Sequence, residues 1–304
     1  MKITRPERPA ALRRLAALTL LLMIGSGCSV ESLDDLGTQI KPTIPVLVTV
    51  EESYSLPLPT TEQIFPAEVA AEVGDTVPDT GWQELRQGLE RRVINLPSED
   101  SQSTHSVYIL RIDPARFSFE VGYHPAEGQS LLKWIEDSGA LIAVNGGYFT
   151  EEEYATGLVI ANGTIYGTSF EGYGGMIAVD SSGPSIRWLK QQPYDESEML
   201  TSAIQSFPML ITPGGKLTFK EPGGDKARRT VAATDASGMF LLIVFPSATF
   251  TLDELGSWLE QSDLEIDRAL NLDGGASTGL ILSEPGEGIP SFSALPSVLL
   301  VYPK

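Results

Sequence analysis

The chain has 304 residues, 21 Lys and Arg against 40 Asp and Glu, and a formal net charge of −19. Hydrophobic residues at 42% and charged residues at 20% exclude wholesale disorder. The acidic balance argues against nucleic acid, which needs a basic patch to displace counterions. A single cysteine excludes a disulfide framework and a CxxC zinc site.

Residues 1–27 read as an address. They carry Lys2, Arg5, Arg8, Arg13 and Arg14 against one acid, Glu7, and then an apolar run from Leu15 to Ile24 broken only by Thr19. Ten helical residues rise about 15 Å, too short for a bilayer core of about 30 Å, so the run predicts a secretory signal. It ends in Gly25-Ser26-Gly27 before the lone Cys28, which resembles a bacterial lipoprotein signal. Cys28 is therefore the expected lipidation site, with the protein exported and anchored to the outer face of a bacterial cell envelope. The alternative is a plain signal peptide with an incidental Cys.

Residues 28–81 predict an extended stalk. From 29 to 81 there are ten acids, one base (Lys41) and six prolines, a composition that self-repels. Ile44 to Val50 could add an edge strand.

From Trp82 to Lys304 the pattern predicts one strand-rich α+β domain, of mixed or antiparallel sheet with a few packed helices. Phe117, Phe119, Val121 and Tyr123 alternate as in a half-buried strand. Asn162-Gly163 separates two short apolar runs, a strong hairpin signal because both residues tolerate positive φ. Further hairpins are expected around Ser181-Ser182-Gly183, Pro213-Gly214-Gly215 and Asp235-Ala236-Ser237-Gly238. Two helices are expected. One runs from Ser130 to Ser138 before Gly139; the other starts at the capping box Thr251 to Glu254 and turns Leu252, Leu255, Trp258 and Leu259 inward. Each leads into a short apolar strand ending in a polar residue and paired glycines.

Those strand ends carry the chemistry. Asn145-Gly146-Gly147-Tyr148-Phe149 offers an amide, close backbone approach at the glycines, and two rings that could stack on a sugar. A tight turn with buried aromatics is the plainer alternative. Asn271-Leu272-Asp273-Gly274-Gly275 places a carboxylate at a strand's end, fit for acid, base, nucleophile or metal-ligand work, or for an Asx turn. Gly275 to Gly279 matches GxSxG, but the next residues read as a strand and no His follows Ser277, so a serine hydrolase is not expected. Arg228-Arg229-Thr230 suits a phosphate fork, or ion pairs with the plentiful acids. Two histidines and one cysteine argue against a His- or Cys-ligated transition metal. Carboxylates would permit Ca²⁺, but no cofactor is predicted.

In order, Ala143 to Phe149, Gly157 to Gly163, Gly174 to Asp180, Gln205 to Ile211, Arg228 to Asp235, Asn271 to Leu280 and Pro296 to Val301 resemble the phosphodiester glycosidase domain family. Phe207, Ala233 and Ala276 stand where glycine is common in that family. The resemblance implies hydrolysis of a sugar-1-phosphodiester, releasing the sugar and a phosphomonoester. Asp273 is then the expected catalytic residue. The expected substrate-binding residues are Asn145, Gly146, Gly147, Arg229 (or Arg228), Thr230, Gly274, Gly275, Ser277 and Thr278. A second carboxylate, if used, would come from Glu151 to Glu153. The competing reading is a non-catalytic lipoprotein that binds a glycan or polymer with the same groups.

Overall fold

The computed structural model describes residues 78–97, 104–172 and 174–304. The leader, Cys28 and the stalk up to residue 77 lie outside the described residues, as does the Ile44 to Val50 strand. In chain order the strands are β1 (Gln83–Arg86), β2 (Leu89–Pro97), β3 (Thr104–Ile112) and β4 (Phe117–Tyr123). After α1 (Leu131–Ser138) come β5 (Ile142–Asn145), β6 (Val159–Ala161), β7 (Thr164–Tyr166), β8 (Gly175–Asp180) and β9 (Gly183–Trp188). Next are β10 (Ser202–Ser206), β11 (Met209–Thr212), β12 (Lys216–Leu217), β13 (Ala227–Asp235) and β14 (Phe240–Phe250). The chain closes with α2 (Leu252–Gln261), β15 (Ile266–Asn271), β16 (Leu280–Leu282), β17 (Glu287–Ile289) and β18 (Ser297–Pro303).

These strands build three sheets, ordered β1-β2-β3-β14-β13-β15-β11-β12, β7-β6-β10-β8-β9, and β17-β16-β5-β18-β4. Their pairings are antiparallel, so of the mixed or antiparallel alternative the antiparallel one holds. The α+β class fits only loosely: the described residues carry two α-helices, of 8 and 10 residues, on a mostly β domain.

Side-chain alternation explains how the sheets pack. Phe117, Phe119 and Val121 of β4, Ile142 and Val144 of β5, and Leu242 and Val244 of β14 meet in one central core. On β4 the intervening Ser118 and Glu120 face away from it and are more exposed. On β14, Leu241 and Ile243 join Leu255 and Leu259 of α2 in a second cluster. β14 is therefore apolar on both faces, which is why its sequence reads as a continuous run rather than an alternation. On β5, Ala143 turns to Leu131 and Trp134 of α1 in a third.

Local signals set the element ends. Ser130 caps α1 by accepting from the Lys133 N–H, and Gly139, at φ 67°, closes it through a 2.8 Å bond to the Ile135 carbonyl. Thr251 and Glu254 form the expected capping box of α2. Asn162 and Gly163 take φ 50° and 73°, as a two-residue hairpin with right-handed strand twist requires. At the domain's start the Pro78 carbonyl accepts from the Asn95 N–H, and Arg92 is ion-paired with Asp79 and Asp263.

Candidate active site

The site forms where β5 and β15 end and β13 begins. The segment leaving β15 is held by main-chain bonds to three separate elements. Asn271 N–H donates to the Pro208 carbonyl (3.0 Å), Leu272 N–H to Thr230 (2.9 Å), and Asp273 N–H to Gly146 (3.1 Å). Asp273 is thus seated before its side chain makes any contact. A 3₁₀ turn, Gly275–Ser277, follows, entered through Gly275 at φ 61°.

Asn145 ties this seat together. It is fully buried; its Nδ2 donates to the Asp273 carbonyl at 2.8 Å. Its Oδ1 accepts from Thr230 Oγ1 (2.7 Å) and from the Gly279 N–H (3.1 Å). Asn145 and Thr230, both expected to touch substrate, are buried, and their side chains bond each other. Gly146 and Gly147 are close-approach glycines against the protein itself. A Cβ on Gly146 would strike Ser297, and one on Gly147 would lie 2.7 Å from the Gln205 carbonyl. Thr278, another expected substrate-binding residue, is fully buried with its hydroxyl unpartnered. Ser277 is buried and its Oγ lies 3.3 Å from Ser293 Oγ. The strand β16 follows directly, without the helix that a nucleophile elbow requires.

Asp273 and Arg229 remain at the half-buried mouth. Burial raises the Asp273 pKa above its ordinary value, opposed by the Ser277 hydroxyl and the Gly274 N–H, which favour the charged form. Gly274 N–H donates to Asp273 Oδ1 at 2.8 Å. Gly274 also runs beside the arginines: a Cβ there would lie 2.8 Å from the Arg228 carbonyl and 3.7 Å from Arg229 Nη1. Arg229 Nη2 donates to the Asp225 carbonyl at 2.8 Å, and burial lowers its pKa. Among the described residues no ion pair engages Arg228 or Arg229, so the salt-bridge alternative for them is set aside.

Tyr148 joins the two charged groups. Its hydroxyl, pushed up to about 12 chiefly by burial, feels the charges of both Asp273 and Arg229. It accepts a 2.8 Å bond from Asn271 Nδ2. The ring stacks on Phe207, centroids 4.5 Å apart, and Phe207 meets Phe170 edge-on at 6.5 Å. Phe207 and Phe170 remain partly exposed, so the three rings form a ledge beside the carboxylate. Gln205 fixes the ledge by bonding both the N–H and the carbonyl of Phe170. Phe149, expected beside Tyr148 as a stacking ring, packs instead against the α1 cluster.

Asn271, Phe170 and Phe207 were therefore not assigned from sequence. Asn271 had a usable signal, because alternation places it on the Asp273 side of the strand; Phe170 had none. Glu151 and Glu152 are exposed on a tight turn, and Glu153 accepts the Gly128 N–H at 2.7 Å. No group of three or more His, Cys, Asp or Glu among the described residues is placed to hold a metal ion. A cavity of about 760 Å³ lies between β4 and the β6–β7 and β8–β9 turns, but no candidate site residue lines it. The chemistry is better placed by convergent polar groups than by cavity size.

A family model described as phosphodiester glycosidase matches residues 138–302. Among solved structures, the catalytic domain of zebrafish N-acetylglucosamine-1-phosphodiester α-N-acetylglucosaminidase, auto-inhibited by its pro-peptide, is similar at 18% identity and TM-score 0.58. The alignment covers 75% of this chain and 89% of that one. A hypothetical protein from Synechocystis is similar at 15% identity and TM-score 0.54, over 76% of this chain and 64% of that one. These likenesses show the fold. No curated protein sequence matches the chain.

Proposed function

Because the chain belongs to the phosphodiester glycosidase family, we propose that it hydrolyses a sugar-1-phosphodiester at the outer face of a bacterial cell envelope. Water adds to the anomeric carbon, the C1–O bond breaks, and the free sugar and a phosphomonoester leave. The observation that carries this reading is the pairing at the site mouth. A carboxyl whose pKa is raised by burial stands in one locality with a guanidinium that has no ion-paired carboxylate among the described residues.

Each group has a task matched to its surroundings. Arg229 offers its unpaired charge to the phosphate. Asp273, ionised, serves the anomeric centre, activating water or stabilising positive charge on the ring; a raised pKa makes it the stronger base. The Tyr148, Phe207 and Phe170 ledge takes a sugar face. Phosphate is a good leaving group, so one well-placed carboxylate is enough to begin with. The location rests on the basic leader, the short apolar run and Cys28, with a lipid as the membrane contact.

The test is a panel of sugar-1-phosphodiesters incubated with purified protein, scoring free sugar and phosphomonoester. Release of both that is lost in Asp273→Asn supports hydrolysis. Binding without release, unchanged in that variant, favours the glycan-binding alternative.

A further inference from the structure

Arg228 and Arg229 are neighbours on β13 with different fates. Arg229 stands at the half-buried mouth, whereas Arg228 is only 9% exposed. Arg228 Nη2 donates to the Pro290 carbonyl at 2.9 Å, while its Nε and Nη1 are buried without a partner. Desolvation alone lowers its pKa, and no carboxylate among the described residues compensates it, in a chain with 40 acids. A buried guanidinium lacking both a counter-charge and two hydrogen bonds is a costly thing for a fold to keep.

One exposed ring lies over it. The Arg228 guanidinium carbon lies 4.0 Å from the centroid of Phe292, and Phe292 is 74% exposed. A ring face attracts the cation but accepts no strong hydrogen bond, so the two donors stay unmet. The covering loop is fastened to the turn after Asp273. Phe292 N–H donates to the Ala276 carbonyl at 2.7 Å, and Ser293 Oγ lies 3.3 Å from Ser277 Oγ. These bonds hold the loop's backbone and leave the Phe292 side chain free to rotate away at little loss of burial.

We propose that Arg228 is the cation of a second anion-binding subsite, roofed by Phe292, that receives a phosphate or carboxylate on the alcohol portion of the substrate. This rests on the hydrolase reading above, with Arg229 holding the scissile phosphate. The ring swings aside, and the incoming oxyanion accepts from Nη1–H or from Nε–H, donors that lie on different edges of the guanidinium. The substrate class is thereby narrowed to sugar-1-phosphodiesters whose alcohol is itself acidic.

The test compares three esters of one sugar-1-phosphate, with methanol, glycolate or 2-hydroxyethyl phosphate as the alcohol. Wild-type kcat/KM is expected to favour the two acidic alcohols by roughly tenfold, about one charge-assisted contact. The glycolate and phosphate arms show which oxyanion fits. Arg228→Gln should bring the ratio near one whatever its absolute rate. A wild-type ratio near one, or a ratio unchanged in Arg228→Gln, overturns the proposal. Because Arg228→Gln alters a buried site and could misfold, calorimetry with inorganic phosphate compares the wild type with Phe292→Ala. Unroofing should tighten binding by about threefold or more; no gain overturns the subsite. If the wild type cleaves none of the three esters, the hydrolase reading fails, and this phosphate titration still decides the anion site by itself.

Discussion

Asn145 Nδ2 donates a 2.8 Å hydrogen bond to the backbone carbonyl of Asp273, binding the end of β5 to the loop that carries the site's carboxylate. The same amide accepts from Thr230 and Gly279, so one buried side chain joins β5, β13 and the approach to β16. Replacing it strands several buried partners at once.

Asn145→Ala is therefore expected to cost about 2–4 kcal/mol of stability, because each buried group left unpaired costs about 1–3 kcal/mol. Urea unfolding measures it. A loss below about 1 kcal/mol would show that water replaces the amide and that Asn145 does not hold the seat.

Asp273→Asn should separate stability from activity. The folded protein raises this carboxyl's pKa, so it holds the proton more tightly than the unfolded chain does. Ionisation then costs stability as pH rises from the ordinary carboxylate value, about 3.9, through the raised one, and the cost is complete above both. Asn escapes that cost and can still accept the Gly274 N–H. Its Tm at pH 7 is expected to rise, by about 2–4 °C for each kcal/mol relieved, while turnover falls about 10²- to 10⁴-fold. In the wild type, the acid limb of kcat/KM should have its midpoint above about 3.9. A midpoint at or below that value removes Asp273 as the titrating group.

Arg229→Ala should discriminate by substrate charge. Loss of an unpaired guanidinium is expected to lower kcat/KM for a sugar-1-phosphodiester by about tenfold or more, and hardly alter binding of a neutral glycoside. Equal losses on both would mean that Arg229 supports the loop through Asp225 rather than the phosphate.

Cys28→Ser tests the anchor. With a lipid on Cys28, expressed protein sediments with membranes and the variant becomes soluble. Identical fractionation of the two ends the lipoprotein proposal.

Much of the scaffold is legible in the sequence because its signals are local. The Asn162-Gly163 hairpin, the Gly139 cap and the Thr251 to Glu254 capping box each depend on residues within a few positions. Asp273 and Arg229 stand out because a charge at a strand's end beside glycines is locally unusual. The purpose of Asn145 is not local: its partners lie at 230, 273 and 279, and only sheet order brings them together. Thr278 looks like an exposed hydroxyl beside glycines, yet the turn carries it inward. The ledge is hidden for the same reason, since Phe170, Phe207 and Tyr148 come from three separate loops.

The main-chain seat of Asp273 has a practical consequence for redesign. Pro208, Thr230 and Gly146 hold residues 271–273 through carbonyl oxygens, which every amino acid possesses. Side chains at the rim can therefore be exchanged without moving the reactive group. The side chains of Phe170, Phe207 and Phe292 are surface-accessible and form no part of that seat. Libraries randomised at those three positions would explore new sugars and alcohols on a fixed chassis, whereas libraries at Gly146 or Gly147 would mostly yield unfolded protein.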